Sequence, residues 1–156
     1  MGTPEVLIRA VEETDIINMW PIVQFRSDSD KENFIARVKL KRKLEDHFIP
    51  VALMGNKVVG YAWVHDYGPH IRVGHRKARL NDLYVLEEYQ RQGIGKKLFL
   101  SVRDWCERRN VKWLEWQSNE SAISFYEKMG YKGERCPDPD HPEFEITFET
   151  KKEIFY

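Results

Sequence analysis

The sequence predicts a mixed α/β protein built around one central sheet, and three observations lead to this prediction. Segments with the apolar pattern of strands alternate with segments of helical period, in the order β-α-α-β-β-β-α-β-α-β-β. Neither an internal repeat nor a linker-like stretch interrupts that order. The 156 residues, 42% of them hydrophobic, suit a single domain over residues 1–156 with a sizeable core.

The N-terminal segment contains a predicted strand and a predicted helix. Residues 5–11 are rich in apolar side chains and are expected to form the first strand. Thr14 or Asp15 then caps a helix that ends near Phe25. Pro21 falls inside this helical pattern, and because proline lacks a backbone N–H, it is expected to kink or divide the helix.

A second helix is predicted next, with residues 27–30 as its loop and cap and an end near Asp46. This helix carries a basic cluster that comprises Lys39, Lys41, Arg42 and Lys43. A charge run of this kind is typical of a solvated helix face, and this interpretation is favoured over a binding site.

A hairpin is predicted after the second helix. Residues 48–54 and 57–64 form its strands, since Gly55-Asn56 between them suits a two-residue turn. Residues 66–76 contain two glycines and a proline and are predicted to form a loop. This loop either lines an acceptor pocket or is an ordinary connection, and the residues leave both interpretations open.

The most informative segment is an apolar strand, residues 80–85, that leads into a glycine turn and an amphipathic helix at residues 90–97. The first amides of a helix lack internal partners, and the helix dipole adds partial positive charge there. Gly93 and Gly95 have no Cβ, so a diphosphate group can approach the backbone closely. The spacing fits neither the dinucleotide fingerprint, whose third glycine would fall on Leu98, nor a P-loop, which needs a hydroxyl residue after its Gly-Lys pair.

The turn is followed by a helix, because apolar residues recur at helical spacing. Its buried stripe comprises Ile94, Leu98, Val102 and Trp105. Cys106 lies near this stripe and is expected to be a small core residue rather than half of a disulfide.

The remaining segments complete the predicted order. Residues 111–117 form a strand, and residues 118–119 cap a helix that ends near Gly130. An extended run begins at Tyr131, and residues 144–148 form the last strand after a proline-bearing loop.

Residues 78–133 resemble the GNAT superfamily of acetyl-CoA-dependent N-acetyltransferases. The run Gln90-x-x-Gly93-x-Gly95 matches the family's pyrophosphate loop, and the strand 83–85 ends just before it. The segment Asn119-x-x-Ala122-x-x-Phe125-Tyr126-x-x-x-Gly130-Tyr131 is similar to a second family signature. The resemblance implies a central, mostly antiparallel sheet that is flanked by helices and splayed between its fourth and fifth strands.

The resemblance also implies acetyl-CoA as co-substrate. The main chain of the turn would cradle the pyrophosphate, Leu83 and Val85 would pair with the pantetheine arm, and the Val85 N–H would meet the thioester carbonyl. Asn119 would bond to the pantetheine or cap the last helix, and both can hold at once. The implied cofactor-binding residues are Leu83, Tyr84, Val85, Gln90, Arg91, Gln92, Gly93, Ile94, Gly95, Lys96, Lys97, Asn119 and Phe125.

Two catalytic residues are predicted. Tyr126 occupies the family position of the general acid, and a phenol with its ordinary pKa near 10 is protonated at neutral pH. The other interpretation of Tyr126 is a core tyrosine on the stripe of its helix. Asn81 stands where many family members carry a carboxylate, so the adjacent Asp82 is the predicted general base, with Glu115 or a water chain as alternatives. The other interpretation of Asp82 is a solvent or structural carboxylate.

The composition of the chain limits the classes of partner that it is expected to bind. Lys and Arg total 25 and so do Asp and Glu, which argues against nucleic-acid binding through a strong basic field. A membrane-spanning run and a signal peptide are not apparent, so a cytoplasmic location is expected. The five histidines lack zinc-type spacing, and no metal is predicted. A homodimer is compatible with the resemblance.

Three functions remain open at this point. The first is transfer of an acetyl group from acetyl-CoA to a primary amine of a small molecule, by direct transfer in a ternary complex. The second is acetylation of a protein or peptide amine. The third is a non-catalytic module that binds acyl-CoA. Acceptor choice depends on the variable loops around the shared core.

Overall fold

The computed structural model describes residues 5–26, 30–134 and 138–149. Within these ranges the chain forms seven strands and four α-helices. In chain order they are β1 (Val6–Ala10), α1 (Ile16–Val23), α2 (Lys31–Arg42), β2 (His47–Phe48), β3 (Pro50–Met54), β4 (Lys57–Pro69), β5 (Arg76–Val85), α3 (Ile94–Arg108), β6 (Val111–Gln117), α4 (Ile123–Lys128) and β7 (Glu143–Thr147).

The strands form one sheet in the order β1-β3-β4-β5-β6-β7, and the short β2 pairs with β4. The β1–β3, β2–β4, β3–β4 and β6–β7 pairs are antiparallel, whereas β5 and β6 run parallel. The predicted mixed α/β class is therefore confirmed. The parallel ladder extends from Arg76 opposite Val111 to Arg79 opposite Glu115, although β5 continues to Val85. The splay between these strands stays a prediction.

The chain divides into two compact units. The first comprises residues 1–65 and 81–105, and the second comprises residues 66–80 and 106–156. The elements β4, β5 and α3 each contribute residues to both units. The single domain that chain length predicts stays a prediction.

The first unit is organised around an apolar core. Side chains of α1, α2, β3 and β4 meet there, among them Ile16, Val38, Val51 and Val58. The predicted stripe of α3 is confirmed, because its members Ile94, Leu98 and Val102 are buried and Trp105 stacks on Phe48 with ring centres 5.5 Å apart. Burial of these side chains supplies the main driving force for the unit.

The second unit has an aromatic core and a buried ion-pair network. The Trp116 ring centre lies 5.2 Å from that of Tyr126 and 5.5 Å from that of Phe144. The buried Asp66 carboxylate accepts hydrogen bonds from Arg76 at 3.0 Å and Arg109 at 2.9 Å.

Cys106 is fully buried in the second unit, as predicted. Burial raises the pKa of its thiol to about 12, with the Asp66 carboxylate adding to the effect. The thiol is therefore protonated and unreactive at neutral pH. Cys136, the other cysteine, lies outside the described residues.

The structure corrects the predictions for the two N-terminal helices. Pro21 does not divide α1, which continues to Val23. The carbonyl of Ile17 loses its usual donor, but Ile17 is 52% exposed, so water can satisfy that oxygen. The second helix ends at Arg42 rather than near Asp46, because the chain must turn before pairing with β4 from His47.

Two predicted connections also differ. The hairpin turn at residues 55–56 is confirmed, but β4 extends to Pro69 and β5 starts at Arg76. The loop predicted over residues 66–76 therefore shrinks to residues 70–75, because the Asp66 and Arg76 side chains pair across the two strands. Of the extended run predicted from Tyr131, the described residues show a single bridge, between Glu134 and Glu143.

Candidate active site

The turn between β5 and α3 contains two residues in the left-handed region of the backbone. Arg91 and Gly93 have positive φ values of 64° and 81°. This region of φ is costly for residues with a Cβ and easy for glycine. A Cβ placed on Gly93 would meet no atom within 4 Å, so the backbone there faces open space.

Helix α3 begins directly after this turn. The Gly93 carbonyl accepts a helical hydrogen bond from the Lys97 N–H at 3.1 Å. The N–H groups of Ile94, Gly95 and Lys96 therefore have no partner inside the helix. Since the Lys96 and Lys97 side chains are exposed beside them, the turn combines free amides with positive charge, a combination that suits a diphosphate group.

Side-chain contacts fix the turn to the strand before it. The Gln90 side-chain amide donates to the Val85 carbonyl at 2.8 Å, and the Leu86 N–H donates to the Val59 carbonyl at 2.8 Å. Gly60 allows the backbone to approach closely, because a Cβ there would lie 3.0 Å from the Tyr84 carbonyl oxygen. Gln90 thus orients the turn, a role that the sequence motif did not specify.

A cavity of about 340 Å³ opens within the first unit, and it is lined by residues of α1, α2, β4 and β5 together with Arg26 and Ile49 from the connections. Its volume lies near the lower end of the range for small-molecule pockets. The apolar part of its wall comprises Met19, Val23, Phe34, Val38 and Ile49. The part of the wall with polar atoms comprises Arg26, Arg37, Lys41, Tyr61, Trp63 and Asp82.

Asp82 is held by two partners on the cavity wall. The Arg26 guanidinium pairs with its carboxylate at 3.0 Å, and the Tyr61 hydroxyl donates a hydrogen bond to it. Burial raises the pKa of Tyr61, with Asp82 adding to the effect, so the phenol stays protonated as a donor. Burial opposes the charge of Arg26, but Asp82 outweighs it and raises the pKa of that guanidinium. The Arg26 guanidinium also lies over the Tyr84 ring, 4.3 Å from its centre.

Three predicted site residues belong to the second unit. Tyr126 is 6% exposed, and its ring meets that of Phe125 edge to face at 5.0 Å. The Asn119 side-chain oxygen accepts from the Ala122 N–H at 3.0 Å and from the Ser121 hydroxyl at 2.9 Å. The predicted capping role of Asn119 is therefore confirmed. A hydrogen bond from its side-chain NH₂ group to the pantetheine arm stays a prediction.

Glu115, the alternative base, is engaged in ion pairs. Its carboxylate lies 3.2 Å from the Arg79 guanidinium and 3.2 Å from the Lys77 ammonium. The two cations occupy both oxygens of the carboxylate, so Glu115 serves as an ion-pair partner on this part of the sheet.

Asp46, His47 and His65 form a cluster whose possible ligand atoms all lie within 4.8 Å of one another. The His47 and His65 rings stack with centres 4.1 Å apart. The Trp63 indole N–H donates to Nδ1 of His47 at 3.0 Å. Neutral His47 consequently carries its proton on Nε2, the atom that faces Asp46, so this ring offers no lone pair to a metal ion there.

The structure brings the predicted turn residues together in the first unit, from Leu83 through Lys97, and places Asp82 beside the cavity. It also adds residues that sequence reasoning missed, namely Arg26, Tyr61 and Trp63. The sequence near Asp82 gives little indication of these residues, because Arg26 lies 56 positions before Asp82 and Tyr61 lies 21 positions before it.

Known proteins with similar sequences are acetyltransferases. Residues 13–131 match the profile of the Acetyltransferase (GNAT) family. The chain is 28% identical over 118 residues to the L-ornithine N5-acetyltransferase NATA1 of Arabidopsis thaliana, covering 71% of this chain and 51% of that protein. It is 41% identical over 58 residues to the [ribosomal protein bS18]-alanine N-acetyltransferase of Escherichia coli, covering 35% of this chain and 39% of that protein.

A solved structure shares the fold. The PaiA N-acetyltransferase of Thermoplasma acidophilum, in complex with coenzyme A, superposes with a TM-score of 0.70 at 17% identity, covering 92% of this chain and 99% of that chain. The chain belongs to the Acetyltransferase (GNAT) family, whose members use acetyl-CoA. It spans about half the length of the ornithine acetyltransferase that it matches. Among the described helices, none has both the length and the apolar character that a bilayer crossing needs.

Proposed function

We propose that this chain transfers the acetyl group of acetyl-CoA to a primary amine of a small molecule, by direct transfer in a ternary complex. The observation that carries the proposal is the β5–α3 turn, with positive φ at Gly93 and open space in front of it. Family membership and the cavity of about 340 Å³ support it further.

The cofactor would be held mainly by main chain. The amides of Ile94, Gly95 and Lys96 would bind the diphosphate, with exposed Arg91 and Lys97 adding charge. The end of β5 would pair with the pantetheine arm, as the family resemblance implies. When bound, acetyl-CoA supplies an acetyl group that is already activated as a thioester.

Asp82 is the proposed acceptor of the amine proton. A primary amine is mostly protonated at neutral pH and must lose one proton before it can attack a carbonyl carbon. The Asp82 carboxylate would hold the ammonium group, and its side chain is 28% exposed, so the proton can leave to water. Tyr61 and Arg26 keep this carboxylate in one position.

Tyr126 is the proposed general acid. Forming the amide bond breaks the carbon–sulfur bond, and the departing sulfur takes a proton. The Tyr126 hydroxyl would give that proton, and the second proton that the nitrogen loses as the amide forms would return to Tyr126 through water. The rings of Trp116, Phe125 and Phe144 restrain the tyrosine ring.

The Tyr126→Phe variant tests this assignment. We expect turnover to fall about hundredfold, since general acid catalysis is worth that much, with the affinity for coenzyme A unchanged. Tyr131→Phe is the matched control. The Tyr131 ring also contacts Trp116, and the substitution likewise removes a phenol hydroxyl. Unchanged turnover in Tyr126→Phe would remove the acid role.

A second candidate is acetylation of a protein N-terminus. The 41% identity over 58 residues to an enzyme that acetylates an alanine of a ribosomal protein favours it. Acetylation of an alanine-initiated peptide in preference to every small amine would select this alternative. Thermal stabilisation by coenzyme A without turnover on any amine or peptide would instead point to a binding module.

A further inference from the structure

The charges on the cavity wall are unbalanced. Arg26, Arg37 and Lys41 line the cavity, and Asp82 is the carboxylate that lines it with them. Because Arg26 pairs with Asp82 at 3.0 Å, these two charges offset each other. Arg37 and Lys41 remain as the uncompensated charges of the wall.

Both cations are placed by α2. They are one helical turn apart and therefore lie on the same face of the helix, next to the apolar residues Phe34 and Val38 that also line the cavity. Among the described residues, no ion pair or hydrogen bond joins the side chain of Arg37 or Lys41 to another residue. The Lys41 ammonium instead lies over the Trp63 ring, 5.4 Å from its centre.

The contrast with Lys39 on the same helix is informative. Lys39 pairs with Glu13 at 3.4 Å and does not line the cavity. The basic cluster of α2 is therefore not one uniform solvated face, because the half-buried Lys41 faces the cavity. Two neighbouring cations beside one cavity repel each other, and an anion bound between them would offset that repulsion.

We infer that the acceptor amine carries an anionic group, a carboxylate or a phosphate, that binds Arg37 and Lys41. This inference rests on the proposed acetyl transfer and specifies the substrate class for it. The two ends of such a molecule match the two kinds of charge on the wall: the amine goes to Asp82 and the anion goes to the α2 cations. A polyamine fits poorly, because its second ammonium would face Arg37 and Lys41.

Two matched pairs of amines test the inference in a coenzyme A release assay with the full chain. Ornithine and 1,4-diaminobutane differ by the carboxylate, and glucosamine 6-phosphate and glucosamine differ by the phosphate. We expect kcat/KM to be at least about tenfold higher for the anionic member of one pair, because a charged hydrogen bond contributes this much. The pair that shows the larger ratio identifies carboxylate or phosphate as the recognised group.

Variants of α2 locate the effect. Arg37→Gln and Lys41→Gln should each lower kcat/KM for the preferred anionic amine about tenfold and should not lower it for the partner without the anion. Lys39→Gln removes the same charge from the same helix and should stay within about twofold. Thermal midpoints measured on all three variants verify that they fold.

The possible failures are distinguishable. Equal or better turnover of the amines without an anion, or equal losses in Lys39→Gln, would overturn the inference and leave the proposed transfer standing. Absence of turnover with all four amines, in protein that binds coenzyme A, would overturn the proposed small-molecule transfer and the inference together.

Discussion

The β5–α3 turn and the α1–α2 cavity belong to the same unit but are built in different ways. The turn is made of consecutive residues and acts through its main chain, with Gly93 at a φ of 81°. The cavity collects side chains from two helices, two strands and two connecting segments, and its key carboxylate, Asp82, is held by partners 21 and 56 positions away. Main-chain chemistry of a short turn is therefore visible as a spacing of glycines, whereas a side-chain pocket is not visible in any one segment.

The two regions also differ in what a substitution should affect. A change in the turn should act on the cofactor, because the turn offers free amides to a diphosphate. A change in the cavity should act on the amine. If substitutions in the turn and in the cavity had the same effects on the cofactor and on the amine, the distinction between the two regions would be wrong.

The largest effect is expected for Asp82→Asn. Loss of the proton acceptor should lower kcat/KM for the amine about hundredfold and leave the affinity for acetyl-CoA unchanged. Steady-state kinetics and calorimetric titration measure the two quantities. Asn81→Ala changes the adjacent exposed residue of β5, and a loss as large in that control would show that Asp82 has no special role.

An intermediate effect is expected for Gly93→Ala, compared with Gly55→Ala. Both glycines have positive φ and open space around the added methyl group, so each variant should lose about 1–2 kcal/mol of unfolding free energy. Only Gly93→Ala should also weaken coenzyme A binding, by about tenfold, because it alone distorts the turn. Equal coenzyme A affinity in the two variants would contradict the assignment of the turn.

The smallest expected effect is on the pH dependence of stability, and it comes from His47. Burial and the neighbouring His65 lower the pKa of His47 below its ordinary value, so the unfolded chain takes up the proton first. Stability is thus fully present above about pH 6.5 and declines as the pH falls toward the folded-state pKa. Protonation also removes the Nδ1 acceptor of the Trp63 indole.

The His47→Gln variant measures this contribution. From about pH 7.5 to about pH 5.5, we expect the wild-type chain to lose up to about 1 kcal/mol more unfolding free energy than the variant. Denaturant titrations at the two pH values provide the comparison. An identical pH dependence in both chains would contradict the role of His47.

Much of the fold followed from local pattern. The strand at residues 111–117, the stripe of α3 and the cap at Asn119 agree with the sequence, since apolar period and capping chemistry act over a few residues. The helix ends and connections were predicted less well. Pro21 is tolerated inside α1 because the orphaned carbonyl is exposed, and the 66–76 connection shortens because Asp66 and Arg76 pair across strands.

The candidate site also has one part that the local sequence predicted and one part that it did not. The glycine turn was evident from residues 90–97, whereas the partners of Asp82 and the separate environments of Lys39 and Lys41 were not. Both lysines have the same charge and nearly the same sequence surroundings. Only the side of α2 on which each lies decides whether it pairs with Glu13 or lines the cavity.

The sequence by itself determined the strand–turn–helix unit, because each residue's own φ preference and the free amides of a helix start require no distant partner. The tertiary structure decided where Asp82, Arg26 and Tyr61 meet and which cations face the cavity. The way these side chains come together depends on how the helices pack on the sheet, between residues that are tens of positions apart. Packing between such distant residues leaves no periodic pattern in a single sequence.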